Sequence, residues 1–186
     1  MKEPHQFQSR INIILKAILF CFVFTGLFIV FTFFKSFIPE KFERVAHGII
    51  GTTVALLTTF VFLKIDKKSF AAIGLIFDRN TLKKFFFGVL AGIALMGLLS
   101  VSVICFSDFK IEMNDNSSVL NFFLWTLPLI PLAFLEEVGF RAYPLIILKD
   151  RIGIRKTVII TSFLFAFYHI TNGWSVQNAF LGAGVW

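Results

Sequence analysis

The chain has 186 residues, 57% of them hydrophobic and 27 of them phenylalanine, with a mean hydropathy of +0.83. Soluble domains are roughly 45–50% apolar, and the excess here comes in long blocks rather than in alternation. This excludes an ordinary soluble domain and predicts one all-α integral membrane domain over residues 1–186, a polytopic transmembrane helix bundle of about five complete spans plus the start of a sixth. The net charge of +7 does not point to nucleic acid, because the Lys and Arg residues sit in short stretches between apolar blocks, where positive charge fixes topology.

Met1 to Arg10 is a polar tail that includes His5. The block from Ile11 to Phe34 carries only Lys16 as a charge; it is too long for a signal-peptide core and no small-residue cleavage site follows, so it reads as a retained first span. Lys35 to Arg44 is a short loop broken at Pro39. Val45 to Leu63 is a second span with His47 and four threonines, Thr52, Thr53, Thr58 and Thr59, whose hydroxyls can bond back to the helix backbone. Lys64 to Lys84 holds six basic residues around the apolar insert Phe70 to Phe77, a pattern that suits a segment lying at the membrane surface. Phe85 to Ser107 is a third span in which Gly88 and Gly92 stand at GxxxG spacing, with Gly97 beyond them, an arrangement that allows close helix packing.

Asp108 to Ser118 is polar and net acidic, and a fourth span starts near Val119. From there to Leu135 the only polar side chains are Asn121 and Thr126, and the run ends in Glu136-Glu137-Val138-Gly139-Phe140-Arg141. Pro128 and Pro131 each remove an amide donor and crowd the carbonyl four residues back, so the helix is expected to bend one to two turns before Glu136; Pro144 acts likewise on the carbonyl of Phe140. Prolines on both sides favour a helix that lines a cavity over one that faces lipid. Lys149 to Lys156 is a basic loop with Gly153, Thr157 to Ile170 a fifth apolar stretch ending near His169, and Thr171 to Trp186 the start of a sixth helix or re-entrant segment. The chain stops inside apolar sequence, and truncation at the C-terminus is expected. Cys21 and Cys105 lie inside spans without CxxC spacing, so they read as packing residues rather than as a disulfide or zinc framework.

With the N-terminus cytoplasmic, the inside segments hold twelve basic residues and the outside ones four, namely Lys35, Lys41, Arg44 and Lys110. The asymmetry favours a multi-pass cell-membrane protein with its N-terminus inside. Glu136, Glu137 and Arg141 then lie toward the cytoplasmic half. His169, twelve residues into the fifth span from Thr157, lies roughly 18 Å deeper at about 1.5 Å per residue. The two sets can meet if the fourth helix bends.

Ionisable groups set behind an apolar run are costly and are functional candidates by default. On a helix Glu137 and Arg141 share a face, whereas Glu136 is turned about 100° away. Arg141 is therefore expected to pair with Glu137, leaving Glu136 to point at something else. A carboxylate in an apolar cavity has its charged form disfavoured, which suits a general base or acid. The bland alternative is a pair of glutamates at a helix end in the membrane interface. Phe165 and His169 share a face of the fifth span, where an imidazole can orient a water, receive its proton or bind a metal; a single histidine of this kind is more often a packing residue. His47 and His5 are weaker candidates. Trp125, Trp174 and Trp186 read as packing or interfacial aromatics.

Glu136-Glu137-x-x-x-Arg141 followed on the next span by Phe165-x-x-x-His169 resembles the first two motifs of the CPBP family, the CAAX proteases and bacteriocin-processing or Abi proteins. The resemblance covers about Val119 to Trp186 and extends loosely to Ala72-Ile73-Gly74-Leu75. It implies an intramembrane endopeptidase acting on a peptide or a lipidated protein tail, with membrane lipid as its other partner. By the resemblance Glu136 activates the hydrolytic water, His169 helps hold it, and Arg141 fixes Glu137. The family also has a later histidine followed four residues on by Asn or Asp, and no histidine follows His169 in this sequence. The cofactor stays open: a divalent metal such as zinc, with Glu136, His169 and Glu137 as candidate ligands, or none. A non-catalytic bacteriocin immunity or binding protein on the same scaffold is the alternative. An ion path through Glu136, Glu137 and His169 has less support, since no inverted repeat is visible.

Overall fold

The computed structural model describes residues 4–109 and 118–183. The described residues contain helices and turns and no strand. The helices are α1 (Pro4–Thr32), α2 (Glu43–Ile65), α3 (Thr81–Phe106), α4 (Val119–Thr126), α5 (Leu129–Glu136), α6 (Tyr143–Ile152), α7 (Ile154–Thr171) and the single turn α8 (Val176–Asn178), with a π turn at Glu137–Ala142 and another at Ala179–Ala183. Among the described residues four stretches are long and apolar enough to cross a membrane: Ile11–Phe37, Glu40–Ile65, Thr81–Phe106 and Val119–Ile152. The protein is thus a polytopic helical bundle. The fifth expected span, α7, is not among these four stretches; its first turn carries Arg155 and Lys156. Most of the acidic loop after Asp108, with Lys110, and the residue Trp186 lie outside the described residues.

Two compact units make up the chain, one formed by Met1–Gly74 with Val119–Trp186 and the other by Leu75–Ser118. In the first, α1 buries Ala17, Phe20, Cys21, Phe24 and Phe28, spaced at three and four residues and so on one helical face. Lipid tails are as apolar as these side chains, so packing rather than water exclusion holds them. The α1 rings meet an aromatic column from the other helices: Phe20 lies 5.1 Å from Phe62 and 4.8 Å from Tyr143, and Phe24 lies 5.5 Å from Phe140 and 5.9 Å from Tyr168. Aromatic pairs of this kind contribute about 0.5–1.5 kcal/mol each beyond their buried area. The helical turn of α1 reaches back to Pro4, so His5 stands in a helix rather than in a tail.

Glycines let α2 and α1 approach the fourth span closely. A Cβ on Gly48 would meet the Pro131 ring at 2.9 Å, one on Gly51 would meet Leu135 at 2.6 Å, and one on Gly139 would meet the Phe24 ring at 2.8 Å. Thr52 donates its hydroxyl hydrogen bond to the carbonyl of Pro131 at 2.8 Å, crossing between α2 and α5, whereas Thr53 bonds back to Ile49 at 2.9 Å. Only part of the threonine expectation therefore holds: Thr58 and Thr59 are buried with no hydrogen-bond partner among the described residues.

A polar tie joins three helices elsewhere in this unit. Lys16 of α1 forms an ion pair with Asp66, just past α2, and the Tyr143 hydroxyl at the start of α6 donates to the other Asp66 oxygen at 2.7 Å. Between α6 and α7 the expected basic loop shrinks to Gly153, at φ +80° and ψ 159°. Only glycine adopts that conformation without strain, and Lys149, Arg151, Arg155 and Lys156 join the flanking helices. The apolar insert after Ser69 forms one 3₁₀ turn, Phe70–Ile73, with Ile73 buried and Phe70 stacked 6.3 Å from Phe60. In the second unit α3 opens on a local cap, in which Asp78 accepts from the Asn80 amide and the Thr81 hydroxyl, both at 2.9 Å. The hydrogen bonds from Thr81 and then Lys84 hold the Asp78 carboxyl below its usual range.

Candidate active site

The prolines break the fourth span rather than merely bending it. α4 ends at Thr126, Leu127 and Pro128 form a turn, and α5 begins at Leu129. Pro131 cannot donate to the carbonyl of Leu127, which instead accepts from the Ile130 amide one residue earlier at 3.2 Å, a tighter turn that satisfies the carbonyl orphaned by the proline. Past Glu136 the helix widens into the π turn Glu137–Ala142 and returns to α geometry at Tyr143. Pro144 denies the Phe140 carbonyl its α-helical donor, and the backbone ahead of it departs from α geometry, with Ala142 at φ −81° and ψ −85°. Single π turns inside α-helices recur at functional sites.

The charged motif stands at this junction. Glu137 and Arg141 form an ion pair across the turn, both exposed. The Arg141 guanidinium also lies over the Phe165 ring of α7, 5.8 Å from its centroid. Glu136 points elsewhere, as the helical spacing requires: its Oε1 is 3.9 Å from Nε2 of His169. Glu136 is half-buried and His169 is buried. The other imidazole nitrogen, Nδ1, is 3.0 Å from the Phe165 carbonyl. A carbonyl can only accept, so Nδ1 carries a hydrogen and Nε2 is the nitrogen turned toward Glu136; in the Nδ1–H tautomer Nε2 presents a lone pair there. In that tautomer two acceptors face each other at 3.9 Å, a separation that the two hydrogens of one water can span.

The ring of His169 is clamped on its other sides by aromatic side chains. Phe165 is 4.5 Å away and Trp174 is 4.6 Å away, both edge to face. Trp174 sits in the turn after α7, and its amide donates to the His169 carbonyl at 3.0 Å. This residue, read from the sequence as a generic packing or interfacial aromatic, contacts the candidate histidine directly. The Lys16–Asp66–Tyr143 tie also escaped the sequence reading, although a signal existed: Lys16 is the sole charge of the first span, and Asp66 is the sole acid among Lys64, Lys67 and Lys68.

A cavity of about 340 Å³ opens between the π turn and α7, lined by Phe140, Arg141, Leu145, Val158, Thr161, Ser162 and Phe165. It shares Arg141 with the ion pair, and Phe165 stands between it and His169. The remaining sequence candidates fall elsewhere. His47 packs against Phe28 at 4.9 Å, with its Nδ1 3.5 Å from the Lys35 ammonium. Cys21 is buried in the core and neither cysteine is in a disulfide.

A catalytic zinc takes three protein ligands and a water. Glu136 and His169 offer two donors, Glu137 is held by Arg141, and no group of three His, Cys, Asp or Glu side chains comes together among the described residues. The donors present do not compose a three-ligand zinc centre, and no step below runs through a metal.

Residues 117–186 match the family described as Rce1-like, type II CAAX prenyl endopeptidase. The match covers the stretch in which the two motifs resemble the CAAX proteases. No curated protein and no solved structure matches the chain.

Proposed function

We propose that this Rce1-like membrane protein is an intramembrane endopeptidase of the CAAX-protease type, hydrolysing a peptide bond in a peptide or a lipidated protein tail. The observation that carries the reading is the 3.9 Å approach of Glu136 to His169 from two different helices, inside the stretch that matches the family. In this reading a water lies between the Glu136 carboxylate and the lone pair of His169 Nε2 and gives one hydrogen to each. Glu136 takes a proton as the water oxygen attacks the scissile carbonyl carbon. When the C–N bond breaks, the same proton passes to the leaving amine, and Glu136 is again a carboxylate. His169 holds the water without changing charge, its tautomer fixed by the Phe165 carbonyl. Arg141 neutralises Glu137 and keeps that second carboxylate from competing for the proton.

The cavity beside Arg141 and Phe165 is suited to an apolar substrate side chain next to the scissile bond. The orientation proposed is N-terminus cytoplasmic in the cell membrane, from the distribution of Lys and Arg. Cleavage of a fluorogenic prenylated peptide by the protein in liposomes provides the test. Glu136→Gln keeps the size of the side chain and removes the base, so the rate should fall by about 10²–10⁴-fold with the melting temperature unchanged. Full cleavage by that variant would remove the assignment and leave a binding role on the same scaffold.

A further inference from the structure

A second polar site lies where one apolar stretch ends and two others begin. The cavity, about 580 Å³, is lined by Lys35 from the end of Ile11–Phe37, by Glu40, Lys41, Glu43, Arg44 and His47 from the start of Glu40–Ile65, and by Asn121, Leu124 and Trp125 from the start of Val119–Ile152. Three apolar stretches terminating together mark a membrane boundary whichever way the protein faces. The site shares no residue with the Glu136–His169 pair.

Its charges are unevenly neutralised. Lys35 pairs with Glu43 at 2.7 Å and reaches His47, which accounts for one cation and one acid. Arg44 lies over the Trp125 indole, 5.1 Å from the ring centroid, and Lys41 lies over Phe42 at 4.9 Å. With Glu40 as the remaining acid, the lining keeps an excess of one positive charge. A guanidinium resting on an indole keeps its edge donors for an acceptor, and it offers a planar fork that fits a phosphate. Leu124 and Trp125 supply an apolar wall beside those donors. At about 580 Å³ the cavity has room for a whole headgroup.

We propose that this cavity binds the headgroup of an anionic phospholipid, with its phosphate diester against Arg44 and Lys41 and its glycerol backbone against Leu124 and Trp125. The lipid acts as a lateral anchor at the boundary where α1, α2 and α4 meet. Glu40 and Asn121 can accept from hydroxyls of a glycerol headgroup, which favours phosphatidylglycerol over a choline headgroup with no donor.

Native mass spectrometry of the purified protein titrated with phosphatidylglycerol or phosphatidylcholine reads the binding, and melting in the same mixtures gives a second readout. The intact protein should retain phosphatidylglycerol about five- to tenfold more tightly than a Lys41→Ala/Arg44→Glu variant, as expected when charged contacts to the headgroup are lost. It should be stabilised by that lipid and not by phosphatidylcholine. Both residues are exposed, so the variant should fold; if it does not, Lys41→Ala alone serves as the comparison. Equal retention by the intact and charge-altered proteins, or equal retention of the two lipids, would overturn the proposal. So would displacement of the lipid by glycerol 3-phosphate at matched concentration, which would make the site one for a soluble anion.

Discussion

At the residue scale, the arrangement around Glu136 gives two neighbouring carboxylates different partners. Glu137 is neutralised by Arg141, while Glu136 faces Nε2 of His169. The Glu137–Arg141 pair is exposed, and pairs of that kind contribute only about 0–1 kcal/mol to stability. Its weight should therefore fall on catalysis. Arg141→Ala is expected to lower peptide cleavage by about 10²-fold, the scale of a misplaced reacting group, and to shift the melting temperature little. Because the two residues act as a unit, Glu137→Ala/Arg141→Ala should be no slower than the worse single variant. Rates that multiply in the double variant would mean that Arg141 and Glu137 work separately. Arg141→Lys keeps the charge and loses the planar contact with Phe165, so an intermediate rate is expected.

At the element scale, the site depends on how closely the fourth span approaches α1 and α2. Gly139 lies in the π turn between the acids and Arg141, with the Phe24 ring where its Cβ would be. Phe24 is itself fully buried among aromatic rings and cannot swing away cheaply. Gly139→Ala should cost about 1–3 kcal/mol through overpacking, visible as a lower melting temperature, with cleavage reduced in the molecules that remain folded. An unchanged melting temperature would mean that α1 yields more easily than its packing implies. Downstream of the π turn, Tyr143 fixes α6 through Asp66, which also holds Lys16. Tyr143→Phe leaves a carboxylate oxygen without its donor and should cost about 1–3 kcal/mol, whereas loss of an idle hydroxyl would leave thermal stability untouched.

At the scale of the whole molecule, the helical membrane class, the place where prolines disturb the helix before Glu136, though as a bend rather than a break, and the separate facing of Glu136 and Glu137 were legible in the sequence. Each follows from local rules: apolar run length, the missing amide of proline, and the 100° step of a helix. The tight approaches at Gly48, Gly51 and Gly139 were not legible, because they depend on which ring of another helix fills the space. Nor was the π turn: Pro144 marks where an α-helical bond is lost, but not that the turn ahead of it widens by a residue. Trp174 carried no mark that separated it from Trp125, since only the turn after α7 decides which aromatic meets His169. The basic loop around Gly153 was misjudged for a related reason: a single residue at positive φ suffices to redirect the chain, so the charges beside it remain helical.

The distribution of charge also makes a prediction that belongs to the molecule as a whole. The twelve-to-four excess of Lys and Arg in the segments on the N-terminal side argues for an N-terminus inside. On that orientation the Lys16–Asp66–Tyr143 tie lies toward the cytoplasm, while the Lys35, Lys41 and Arg44 cavity lies at the opposite surface. Single-cysteine labelling tests this in intact cells, with Cys21 and Cys105 replaced by Ala. A cysteine introduced by Lys41→Cys should react with a membrane-impermeant maleimide from outside, and one introduced by Lys68→Cys should react only after permeabilisation. Both positions are exposed, so burial does not mask either result. The reverse pattern would place the phospholipid cavity on the cytoplasmic leaflet, where anionic headgroups are attracted to the same cations, and would turn the cleavage site to face the opposite side.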